Sequence, residues 1–202
     1  MRLLIPMSLA AFFAMLCTGA AQTPHGPGQG NPAGTPPGTR EAAVGVPAPR
    51  HLNQADRTFL HAAAAGGAAE VEFAQLAERT SKDTGVKNFA QRMVRDHQEA
   101  NKRISALAHD AGLPPAHGLD PDHKSVHDRL SKLQGTSFDR AYIDSQIVDH
   151  QTMAQLLEYE IGSGQAKDIK DLASELLPSI LDHLQTAKVV LASLTGTSAK
   201  QP

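Results

Sequence analysis

The chain has a single cysteine, no tryptophan, few other aromatic residues and no large excess of charge of either sign. Cys17 lies inside an N-terminal segment expected to be removed. The mature chain then has neither a disulfide nor thiolate chemistry, and its fold must rest on its core. With 19 Lys and Arg against 21 Asp and Glu the formal net charge is -2, and loss of Arg2 takes it one unit lower. That balance, together with the missing aromatics, offers nothing to a nucleic-acid partner. No segment shows convincing strand alternation. Nor is there a nucleophile, a Gly-rich phosphate loop or an acid pair to accompany the histidines described below, which places a metalloenzyme behind simpler readings.

What is present divides the chain. Residues 1–21 read as a secretory signal: Arg2 supplies the charge, Leu3 to Leu16 the apolar run, and Thr18-Gly19-Ala20-Ala21 the small residues of a cleavage site. The run is too short for a secure membrane span, and Leu16 stands where a lipoprotein signal needs a small residue, which disfavours lipid attachment at Cys17. Residues 22–51 are dominated by Pro and Gly, cannot bury enough apolar surface to order themselves, and read as a tether. Residues 52–195, about 145 in number, are the usual size of one domain, followed by a short tail at 196–202. The expected location is the periplasm or cell envelope, with no membrane partner beyond the leader. Whether there is a protein partner or a homo-oligomer is left open by the sequence.

Within the domain, apolar residues recur in steps of three and four. Asn53 and Asp56 mark the start of a first helix over Gln54 to Thr80, with the face Phe59, Ala62, Gly66, Ala69, Phe73, Leu76. Gly66-Gly67 weakens it locally but lets a neighbour approach closely. Glu70 on the adjacent stripe and Glu72 compete as its inward-facing acid. Ser81 or Asp83 caps a second helix to about Ala111, whose seam runs through Met93, His97 and Ile104. Thr136 with Asp139 is expected to cap a third long helix, with Ile143, Ile147, His150 and Ala154 on its seam. A fourth runs from about Ala166 to Leu194 with Ile180 and His183, bent near Pro178. The long connection from 112 to 135, carrying a short helix from Pro121 to about Leu133, suits a crossover along the outside of the bundle. On it, His123 and His127 read as solvated polar residues. The expected fold is an all-α four-helix bundle with a crossover helix between the second and third long helices.

One string recurs in three of these helices: Val94-Arg95-Asp96-His97, Ile147-Val148-Asp149-His150 and Ile180-Leu181-Asp182-His183. Each histidine falls on a seam, each aspartate lies about 100° round the helix from it, and all three histidines, with Glu70, fall near mid-helix. Antiparallel packing puts them at one level. Three imidazoles with one carboxylate form a ligand set for a single zinc, copper, nickel or iron ion. Asp96, Asp149 and Asp182 could each accept the second ring proton of a neighbouring helix's histidine, with Glu72 as a further outer group. The same residues could equally form a buried Asp-His layer that sets helix register with no metal. A di-iron centre is disfavoured, because the residue three before each histidine is Val94, Ile147 or Ile180 where such bundles place Glu.

The runs Phe59-Leu60 with Glu70-Val71-Glu72, Val86-Lys87-Asn88-Phe89-Ala90, Met93 to His97, Phe138-Asp139-Arg140-Ala141-Tyr142, Val148-Asp149-His150 and Leu177-Pro178 with His183-Leu184 together resemble the exported bacterial domain of unknown function 4142. The resemblance spans about residues 54–194. It implies a ferritin-like four-helix fold in the periplasm or cell envelope and brings no established activity. Its His and Glu positions correspond to Glu70 or Glu72, His97, His150 and His183. Two functions stand open: a metal-binding bundle acting in envelope metal handling or stress protection, and a non-enzymatic structural or interaction module.

Overall fold

The computed structural model describes residues 51–115 and 118–196. The expected leader, all of the expected tether but His51, and the tail beyond Gly196 lie outside the described residues. Five α-helices are present: α1 (Gln54–Thr80), α2 (Thr84–Asp110), α3 (Pro121–Leu130), α4 (Gly135–Ser163) and α5 (Lys167–Leu194). Among the described residues there is no strand, and no helix is long and apolar enough to cross a membrane.

The helix starts follow local chemistry. Asn53 and Asp56 form a reciprocal capping box, the Asn53 side chain accepting from Asp56 N at 3.0 Å and Asp56 Oδ2 from Asn53 N at 2.7 Å, so two otherwise orphaned donors are satisfied. Asp83 caps α2 by accepting from Val86 N at 2.9 Å, and Ser81 Oγ accepts from Asp83 N. The expected cap at Thr136 and Asp139 is not formed. Gly135, at φ +56°, turns the chain into α4 directly after Gln134, and no side chain caps it. Asp139 is instead buried. α5 continues through Pro178, which is exposed, so the carbonyl that proline leaves unpaired can be hydrated.

Three-residue connections join α1 to α2 and α4 to α5, which forces each pair antiparallel. The pairs also meet: Asn53 Nδ2 donates to Ser163 O at 2.6 Å, and Asp56 Oδ1 accepts from the backbone N–H of Gln165 and Ala166 at 3.0 Å each. The start of α1 is thus held beside the end of α4, and α2 packs on α5 to close the ring. With this arrangement α4 begins at the end of the bundle opposite to that where α2 finishes, so the connection runs the length of the bundle. α3 rides on it and packs on α1 and α4. Leu130 is fully buried, and the rings of His123 and His127 lie against Phe73, with centroids 6.1 and 6.4 Å away. These two histidines are therefore half-buried packing residues of α3 rather than solvated ones.

The core falls into two apolar parts. One gathers Phe73, Phe89, Met93, Phe138, Tyr142 and Ile143; the other gathers Phe59, Leu60, Ile104, Leu157, Ile169 and Ile180. Between them lies a layer of buried polar residues, Glu70, His97, Gln146, His150 and His183.

Candidate metal centre

α2, α4 and α5 each place one mid-helix histidine on the inward seam, and the ring of helices brings the three together. Each of His97, His150 and His183 is buried, and each offers a nitrogen such that the three nitrogens lie within 4.8 Å of one another. Ring centroids are 5.3 to 5.6 Å apart. His97 Nε2 and His150 Nε2 face each other at 3.4 Å.

The remaining ring nitrogens decide the tautomers. His150 Nδ1 donates to the Gln146 carbonyl at 2.8 Å, which leaves the Nε2 lone pair pointing at His97. His183 Nε2 donates to Asp96 Oδ2 at 2.8 Å, which leaves Nδ1 as the lone-pair nitrogen, and that atom is buried with no partner among the described residues. Burial, followed by the charges of His150 and His183, pushes His97 down to about 3. Burial and the charge of His183 push His150 down to about 4. His183 is also lowered by burial, against the raising effect of Asp96. All three rings are neutral at pH 7, and a neutral imidazole is the form that coordinates a metal.

The acids distribute differently from the sequence expectation. Glu70 is the buried carboxylate and Glu72 is exposed. Glu70 does not join the three rings, however. Its Oε1 lies 3.9 Å from His150 Nδ1, on the far side of that ring from the facing nitrogens, and its Oε2 accepts from Gln146 Nε2 at 2.6 Å. Burial, then the nearby Asp149 charge, raises Glu70 to about 8 against the lowering effect of Gln146. Of the three aspartates, Asp96 meets a neighbouring helix's histidine. Burial works against its charged form, yet hydrogen bonds from His183 and Arg92 hold its pKa low. Asp182 instead pairs with Arg92 Nη1 at 2.6 Å while Arg92 Nε reaches Asp96 at 3.1 Å, so one guanidinium ties the two aspartates across α2 and α5. Asp149 touches no histidine of the cluster through a hydrogen bond, and its buried Oδ2 has no partner among the described residues. The expected aspartate for every histidine fails where Arg92, one turn before Asp96, competes for Asp182.

Gln146 was not singled out from sequence. It lies one turn before His150 on the same helix face, where it both orients that ring through its carbonyl and holds Glu70 through its amide. The signal available was this i, i+4 spacing. Two cavities flank the cluster: one of about 340 Å³ beside His97 and His183, and one of about 140 Å³ beside Glu70, Asp149 and His150.

The structure is thus an all-α bundle divided by a buried layer containing three converging histidines. By sequence the chain belongs to the DUF4142 family, a domain of unknown function whose family model matches residues 41–190. No curated protein matches it. Among solved structures it is similar to a DUF305 fragment from Deinococcus radiodurans, with a TM-score of 0.63 and 17% identity over 70% of this chain and 98% of that one. It is also similar to CopM in a Cu(II)-bound form (TM-score 0.59, 17% identity, 68% and 96% coverage) and an Ag-bound form (0.55, 18%, 66% and 92%). At these identities the likeness is one of fold.

Proposed function

We propose that this protein binds a single transition-metal ion through His97, His150 and His183 and serves metal handling or stress protection in the cell envelope. The observation that carries the reading is the convergence of three buried histidines, each offering a nitrogen within 4.8 Å of the other two, with the His150 Nε2 lone pair facing His97 Nε2. Two nitrogens bound to one tetrahedral ion at about 2.0 to 2.1 Å sit roughly 3.3 to 3.4 Å apart. The 3.4 Å between His97 and His150 matches that chord, and a His183 nitrogen lies within 4.8 Å of both. Copper, zinc, nickel and iron accept imidazole ligands, and three protein nitrogens leave a position open. That structures of CopM with silver and with copper(II) share this fold supports copper among the four. The leader-like residues 1–21 support the location.

A second reading rests on the same contact: His97 Nε2 donates its proton to His150 Nε2, and the layer with Asp96, Arg92 and Gln146 fixes helix register without metal. Metal analysis of untagged protein purified from the envelope, followed by thermal unfolding with each of the four ions, separates the two. The metal reading expects bound metal or a clear rise in Tm, with both lost in His150→Leu while the fold is kept. Metal-free protein whose Tm responds to none of the four ions overturns it.

A further inference from the structure

The smaller cavity, about 140 Å³, is built by absence on one side and acid on the other. Ala62, Gly66 and Gly67 of α1 leave room, and no lysine or arginine lines the space. Two carboxylates do. Glu70 is 5% exposed and its Oε1 meets no hydrogen-bond partner; Asp149 presents a buried Oδ2 that is likewise unpartnered among the described residues. An unpartnered buried carboxylate oxygen is costly, and two around one cavity call for a proton or a cation.

A third titratable group lines the same space. His123 of α3 is packed on Phe73 with about a quarter of its side chain (24%) still exposed. Its Nδ1 donates to Asp120 Oδ2 at 2.6 Å, the carboxylate partner that fixes ring orientation and frees Nε2 as a lone pair. His97 and His150 line it as well. One cavity thus joins His123 of the crossover helix, Asp149 and Glu70 to two histidines of the cluster.

We propose that this cavity is a cation antechamber: a hydrated divalent ion is held by Glu70 and Asp149, with His123 lining the same space, before passing to the three histidines. This rests on the metal-binding reading and adds a second, oxygen-rich site and a route. The acids do not gather close enough to form a dry coordination site with His123, so water must complete the shell. Hard oxygen ligation with retained water suits a weakly held ion in transit, and the imidazole cluster suits the final, tighter position.

Cobalt(II) titration of the full chain tests the route, because four-coordinate nitrogen-rich cobalt absorbs visible light strongly and six-coordinate oxygen-rich cobalt weakly. Wild-type protein is expected to bind two equivalents by equilibrium dialysis, one strongly coloured. Glu70→Gln with Asp149→Asn should lose the weaker equivalent and slow colour development at least tenfold, leaving the final colour unchanged. Asp149→Asn alone should show an intermediate rate, which keeps the test open if the double variant folds poorly. One equivalent in wild type and variants alike, with equal rates, overturns the antechamber while preserving the histidine site. Absence of strong colour in wild type overturns the histidine site itself.

Discussion

At the scale of single residues, two of the three rings have one nitrogen committed to an acceptor, His150 to the Gln146 carbonyl and His183 to Asp96, and the other left as a lone pair. Asp96 carries the most of this burden. It accepts from His183, is itself held by Arg92, and so determines which His183 nitrogen is free. Outer carboxylates of this kind are worth about 10- to 100-fold in metal affinity. Asp96→Asn is accordingly expected to weaken metal binding by that order, measured by competition with a chromophoric chelator, while leaving one ion per chain. The inward histidines were legible from their three-and-four spacing alone. The partners of Asp149 and Asp182 were not, because an aspartate 100° off the seam can face either neighbouring helix, and a long arginine one turn away decides which. Gln146 escaped notice for a related reason: a lone amide on an aliphatic seam announces nothing until the facing Glu70 is in place.

At the scale of elements, the long helices and their approximate ends were legible because caps and periodicity agree, as at Asn53 with Asp56 and at Asp83. The start of α4 was less so. Thr136 and Asp139 have the composition of a cap, but the positive φ of Gly135 starts the helix two residues early and Asp139 is drawn into the core. The crossover helix is held to the bundle by few side chains. Leu130 is its fully buried apolar anchor, and Phe73 seats His123 and His127. Leu130→Ala should cost about 2 to 5 kcal/mol if α3 stays docked. Should α3 detach instead, the smaller loss of stability will be accompanied by raised amide exchange confined to Pro121–Leu130, and hydrogen exchange by mass spectrometry distinguishes the two.

At the scale of the whole molecule, closure of the helix ring depends on a carboxyl pair far from the histidines. Asp56 takes backbone N–H groups from the α4–α5 turn, and Glu160 lies beside it, fully buried. Burial, then the closeness of the Asp56 carboxylate, raises Glu160 to about 7 from 4.5. Glu160 binds its proton more tightly in the folded chain, so its contribution to stability is complete below about 4.5 and is lost as pH rises through about 7. The buried histidines act oppositely, favouring the fold above 6.5 and withdrawing support as pH falls through and below it. The difference between Glu160→Gln and wild type isolates the pair: the amide keeps a donor toward Asp56, so the variant should gain Tm relative to wild type between pH 5 and 8. A Tm difference that does not change across that range would contradict the assignment. This pair was illegible in sequence, since Asp56 is accounted for by its cap and Glu160 lies near a helix end where polar residues are ordinary.

The bundle as a whole brings the histidines of three helices together between two apolar half-cores, and the proposed metal site is that meeting place. X-ray absorption at the metal edge of protein loaded with one equivalent of copper or zinc tests it most directly. The account predicts nitrogen or oxygen neighbours at about 2.0 Å, with outer-shell scattering from three imidazoles. A spectrum fitted by oxygen ligands with one imidazole or none would contradict it.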